Sequence, residues 1–340
     1  MSNPDRSPDE VTCQSCDDVS PAVSLLASRD VPLGGPRAMT VRRSLPQRER
    51  SLIGAWCFVD HYGPDDVSVS GGMQVPGHPH TGLQTVSWLF SGEVEHRDTT
   101  GAHAVVRPGE LNIMTAGSGI AHSEFSTPDT TTLHGAQLWV ALPEAARHAS
   151  PGFEHYAPEV TVVDGARVLV FLGTLLGQSS PVAMHSELVG AEVTLRAGAS
   201  LEIEVDAAHE HGLLCDTGQV TLSVPAASGD GAVTAAPGEI AFAPTGSGRL
   251  HVEAGAEQEA RFLMLGGRPL GEQIVMWWNF IGRSHEEVVA HREAWQRERG
   301  PEPTEPTEPA QAAQFGAFPA EWDSTLPAPE LPHLRLRSRG

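Results

Sequence analysis

The chain has 340 residues, enough for two ordinary domains that each bury a core, and a formal net charge of −21. All 22 basic residues are Arg, and a chain this acidic repels phosphate backbones, so direct nucleic-acid binding is excluded unless those Arg residues cluster. No apolar run approaches the roughly eighteen residues of a membrane span, and residues 1–18 lack the basic and apolar regions of a signal peptide. A cytoplasmic protein with no membrane partner is expected.

Residues 1–20 read as a disordered leader rich in Ser, Pro and Asp. Cys13 and Cys16 form a lone Cys-x-x-Cys; with no second pair and no βαβ setting, they read as free thiols rather than a redox pair or half a zinc site. Cys57 and Cys215 lie in apolar runs and read as small core residues. Between 21 and 145 the pattern is one of short strands. The apolar run 86–90 stops at Ser91-Gly92, and 93–98 alternates before Thr99-Thr100-Gly101. Arg107-Pro108-Gly109-Glu110 turns the chain into the apolar run 111–114. This rhythm predicts a small β-barrel or sandwich.

Two triplets stand out in that barrel, His78-Pro79-His80 and His122-Ser123-Glu124. On a strand, residues two apart share a face. Two such strands side by side would aim three imidazoles and a carboxylate at one point, a ligand set for a divalent transition metal with positions left open. Asp60 and His61 are candidates for supporting the ligands or for a turn. His96, His103 and His134 read as isolated surface or structural residues. Residues 143–158, rich in Ala, Pro and His, read as a linker.

The second half repeats the first. Pro108-Gly109-Glu110-Leu111 matches Pro237-Gly238-Glu239-Ile240, and Gly117-Ser118-Gly119 matches Gly246-Ser247-Gly248. His122 follows Gly109 by 13 residues and His251 follows Gly238 by 13, which predicts a second barrel of the same kind over 159–270. His209-Glu210-His211 sits out of register with the first triplet, whose equivalents fall near Glu204 and Asp206. The second barrel is therefore expected to lack metal, although a site built from His211, His251 and Glu253 stays geometrically open. Met276 to Phe280 form an aromatic cluster suited to a core. Ser284-His285-Glu286-Glu287 has the capping-box pattern and predicts a helix over 284–299. Residues 300–340 form a Pro-rich linker and tail whose end is placed to dock on the body.

Several of these stretches together carry a resemblance. Phe58-Val59-Asp60-His61-Tyr62-Gly63-Pro64, His78-Pro79-His80-Thr81-Gly82, Gly92-Glu93-Val94-Glu95-His96-Arg97-Asp98 and the run from Met114 to Glu124 resemble the N-terminal half of the pirin family, within the cupin superfamily. Gly266-Gly267-Arg268-Pro269-Leu270-Gly271-Glu272 resembles the later Gly-Gly-x-Pro-Leu-Gly-Glu segment of that family. Gln84 stands where many members have Glu, a position that is not usually a ligand. The resemblance implies an all-β bicupin: two cupin-type β-barrels (double-stranded β-helix or jelly-roll) in tandem, with a C-terminal helix. It implies one divalent metal on His78, His80, His122 and Glu124, Fe(II) first, with Mn, Ni, Cu, Co or Zn as alternatives. It further implies quercetin 2,3-dioxygenase activity, in which a flavonol is cleaved with O2 and Glu124 also serves as base. The alternative within the family is a non-enzymatic, metal- and redox-sensing regulator that binds a metabolic enzyme or a transcription factor.

Overall fold

The computed structural model describes residues 23–33, 39–225, 231–299 and 313–340. Cys13, Cys16, the leader and most of the Pro-rich linker lie outside the described residues. Two barrels of matching design dominate. In the first, a seven-stranded antiparallel sheet runs Gly152–Tyr156, Leu111–Thr115, Leu83–Ser91, Thr132–Ala141, Trp56–Asp66, Met39–Leu45 and Arg29–Leu33. It faces a four-stranded sheet of Gln74–His80, Ile120–Ser126, Val94–Asp98 and His103–Val106. The second barrel repeats this division of seven strands and four. Its smaller sheet is Ser200–Glu204, Arg249–Ala254, Val220–Ser223 and Ala232–Ala235.

The large sheets of the two barrels pack against each other, which explains why their central strands read as near-continuous apolar runs. Val59, Val86 and Ile113 from the first meet Leu214, Phe242 and Leu263 from the second in one core. Trp88 stacks on Phe171 with ring centroids 4.4 Å apart, and its indole N–H donates to Glu192 at 2.8 Å. Ser24–Leu26, expected with the first barrel, instead extends the large sheet of the second by pairing with Ile240, Ala241 and Phe242. The expected linker also contributes structure, since Gly152–Tyr156 is an edge strand against Leu111–Thr115.

The C-terminal helix spans His285–Glu298, and the Ser284 side chain caps it by accepting from the Glu287 backbone N–H. Its buried face, Val288, Ala294 and Trp295, packs with Phe280, Phe315 and Ala121. The aromatic cluster is therefore core. The tail then lies along the smaller sheet: Leu326 donates its backbone N–H to Gly77 at 2.8 Å, and Trp322 closes over Gly77 so tightly that a Cβ there would sit 2.4 Å from its ring. The strand Gln74–His80 is consequently covered on both faces. No described helix is long and apolar enough to cross a membrane.

Candidate metal centre

His78 and His80 leave the strand Gln74–His80 on the barrel-interior face. His122 faces His78 directly across the antiparallel ladder, and Ile120 faces His80. Register alone thus brings the three imidazoles together. Their ligand atoms lie within 4.8 Å of one another, all three residues are 0% exposed, and ring centroids are 4.3–5.0 Å apart. Burial pushes all three well below the ordinary histidine value, which favours the neutral ring that a metal requires. His78 Nδ1 lies 2.9 Å from the Pro76 carbonyl, so it carries the proton and leaves Nε2 bare. Nε2 of His78, His80 and His122 is buried without a hydrogen-bond partner. Three such orphaned nitrogens converging in a protein interior are costly unless something binds them, and the donor set suits a divalent transition metal.

Glu124 is buried in the same strand, but the ladder shifts register between His122 and Glu124. The extra residue lies on the Gln74–His80 strand, so Glu124 keeps the face of His122 and stands opposite buried His96 in the regular ladder with Val94–Asp98, although the tight three-imidazole cluster does not include the carboxylate. Its charge reaches Tyr62, whose hydroxyl is pushed up by burial first and then by Glu124 and Asp60. Asp60 holds Arg43 in a two-pronged pair at 2.7 and 2.8 Å. Adjacent His61 points the other way, out of the first barrel.

Two of the histidines that read as isolated do not stand alone. His96 is buried, with Nδ1 3.3 Å from His122 Nδ1 and Nε2 3.1 Å from Asp98. The alternation of Val94, His96 and Asp98 inward with Glu95 and Arg97 outward carries that signal in the sequence. His134 lies 2.6 Å from Asp216 of the second barrel; His61 reaches the same oxygen at 2.7 Å, and Arg261 holds the other at 2.6 Å. Those separations are hydrogen-bond lengths, shorter than the roughly 3 Å between ligands about 2.1 Å from a shared metal. With a guanidinium alongside, the cluster acts as a polar clamp between the barrels. His103, by contrast, is exposed and pairs with Glu95.

The second barrel departs from the repeat in a specific way. Where the first pairs His122 with His78 and Ile120 with His80, the second pairs Val252 with Leu201 and Leu250 with Ile203, all buried. Ile120 enters the barrel directly after Gly119, whereas Arg249 intervenes between Gly248 and Leu250. One residue of slip exchanges the two faces of a strand, so the interior equivalents of the ligands are Leu201 and Ile203, not Glu204 and Asp206. His251 and Glu253 point outward, with His251 bound to Glu202 at 2.5 Å and Glu253 at 3.2 Å. His211 instead lines a cavity of about 510 Å3 with His209, Asp206 and Glu187. The structure does not bring His211, His251 and Glu253 together.

Burial pushes His211 down from 6.5 to about 4. The unfolded chain therefore takes up that proton first as pH falls. The contribution of His211 is intact above about pH 6.5, declines between 6.5 and 4, and is flat below. Relative to His211→Leu, the parent should lose about 2 kcal/mol between pH 7 and pH 5. Denaturant melts of both proteins at the two pH values check this, and a constant difference would refute it.

Tandem cupin barrels with a histidine-lined centre in the first define a bicupin with a candidate metal centre. Residues 38–140 match the family model described as Pirin, and residues 190–300 match that described as Pirin C-terminal cupin domain. The chain belongs to the pirin family. A Pseudomonas aeruginosa relative named "Putative quercetin 2,3-dioxygenase" is 40% identical over 273 residues, covering 80% of this chain and 82% of that protein. A "Pirin-like protein" of Caulobacter vibrioides is 30% identical, covering 76% of this chain and 88% of that one. Among solved structures, quercetin 2,3-dioxygenase from Acinetobacter baumannii aligns with a TM-score of 0.81 at 32% identity, covering 93% of this chain and 98% of that chain.

Proposed function

We propose that the protein is a metal-dependent flavonol dioxygenase of the quercetin 2,3-dioxygenase type. The observation that carries this reading is the convergence of three buried, bare imidazole nitrogens inside the first barrel. The Pseudomonas and Acinetobacter relatives support the substrate class by their names. His78, His80 and His122 would hold the metal, with Glu124 as the fourth ligand and Fe(II) as the favoured ion. When bound, the metal supplies Lewis acidity toward the flavonol oxygens and one-electron chemistry toward O2.

The residues of the chain itself do the rest. Glu124, two positions from His122, accepts the proton of the flavonol hydroxyl at its carboxylate. Trp139 packs edge-on against His80 at 5.1 Å and helps keep water from the ring. Gln137, two residues before Trp139 and on the same sheet face, accepts from Ser87 at 2.8 Å, while its Nε2 and both polar atoms of Asn112 lack a protein partner. These atoms are the ones available to orient the hydroxyls of a polyphenol.

The test is anaerobic loading with Fe(II), metal counted per chain, and quercetin loss followed when O2 is admitted. One metal per chain with quercetin cleavage and carbon monoxide release is expected. One metal without turnover would overturn the enzyme reading and favour a metal- and redox-sensing regulator of an enzyme or transcription factor.

A further inference from the structure

We infer that His96 and Asp98 are positioning residues that fix the tautomer of His122 so that its Nε2 is the bare atom offered to the metal. This inference rests on the metal reading of the same centre but is decided by different measurements. The argument starts at the outer end of the chain of contacts. Asp98 Oδ1 accepts from the Thr100 backbone N–H at 2.8 Å, the Thr100 hydroxyl at 2.6 Å and the Ala102 backbone N–H at 3.1 Å. Three donors on one oxygen pin the carboxylate in the turn 98–102 and leave Oδ2 for His96 Nε2, 3.1 Å away. A carboxylate in this setting only accepts, so Nε2 of His96 must carry a proton.

In its neutral form His96 then presents a lone pair at Nδ1. His122 Nδ1 lies 3.3 Å from it and is the donor to that neutral ring. The reverse assignment would set the lone pair of His96 Nε2 against Asp98, an acceptor facing an acceptor. With its proton at Nδ1, His122 has a free lone pair at Nε2, the buried nitrogen aimed at the cluster. The ring plane of His96 is held independently by Phe153, stacked at 4.6 Å and 24° from the edge strand Gly152–Tyr156. His78 reaches the same tautomer by another route, through the Pro76 carbonyl. Such outer partners typically change metal affinity by about 10–100-fold.

Two measurements on the full-length protein test this. In the parent without metal, long-range proton–nitrogen correlation spectra of the histidine rings should show His122 protonated at Nδ1 and His96 at Nε2. His122 protonated at Nε2 would overturn the inference. Metal affinity, measured by competition of Zn(II) with a chelator, should fall about 10–100-fold in His96→Leu and in Asp98→Ala. His96→Gln should recover most of the loss, because its side-chain carbonyl can accept from His122 Nδ1. Affinities equal to the parent in His96→Leu, or equally poor in Leu and Gln, would overturn it. Circular dichroism confirms that each variant is folded, and if His96→Leu fails to fold the tautomer spectra still decide. A parent that takes up no Zn(II) would sink the metal reading alone, leaving the tautomer result standing.

Discussion

His80→Ala is expected to leave the protein folded and without metal after desalting, where the parent retains one ion per chain, and to abolish flavonol cleavage. Three neutral imidazoles form the whole of the tight cluster, so removing one leaves two rings and Glu124 around a gap the size of the third ring, with one ligand fewer to hold the ion through desalting. The loss should be one of binding, not of folding. His80 touches Trp139 edge-on, its Nε2 has no hydrogen-bond partner to abandon, and its contact with the Asn279 backbone is the polar one lost with the ring. Relief of an orphaned polar group offsets part of the cavity left by the ring. His211→Ala, in the second barrel, should keep full metal content. Elemental analysis of both variants beside the parent checks the pair of outcomes, and full metal retention in His80→Ala would remove the centre from His78, His80 and His122.

What could be read before the structure, and what could not, follows from the range of the interactions. The pairing of His78 with His80 is local: side chains two apart on a strand share a face whatever the rest of the chain does. The strand rhythm, the second barrel and the Ser284 cap are local in the same sense. His122-Ser123-Glu124 shares a face by the same rule, but the extra residue carried by the facing Gln74–His80 strand is invisible in spacing. The matching 13-residue interval in the second half located the second barrel but not which way its strands face. Spacing fixes how far along a strand a residue sits, but a single residue at Arg249 decided that His251 faces solvent while Val252 fills the barrel. The clamp of His61, His134 and Asp216 was least legible. Its members come from different barrels, and nothing local distinguishes Asp216 from a polar residue ending an apolar strand. The same holds for Ser24–Leu26, whose partner strand Ile240–Ala243 comes more than two hundred residues later.

Asp216→Ala should be the most destabilising single change at the junction between the barrels, because one carboxylate serves three partners there. His61 and Asp216 have fully buried side chains, His134 is nearly so, and Arg261 is partly covered. Burial alone would push the Asp216 carboxyl up; the pull of His134, His61 and Arg261 outweighs it and holds the group below the ordinary carboxylate range. A folded-state value below the unfolded one means that this stabilisation is present above about pH 4 and disappears as pH falls through the lower folded value. Alanine removes it at neutral pH as well, leaving a guanidinium and buried imidazoles without their acceptor. Breaking a buried charged pair in this way costs about 3–5 kcal/mol, a shift in melting temperature on the order of 10 °C for a chain of this length. Asp216→Asn keeps the shape and one acceptor and should lose less. Metal content should stay at the parental level in both variants, since His78, His80 and His122 line the interior of the first barrel whereas His61 and His134 point from its large sheet toward the second. Calorimetric melts together with metal analysis separate these effects. A shift of only a degree or two in Asp216→Ala would show that the apolar contacts of Trp88, Phe171 and Phe242 hold the barrels together without the clamp.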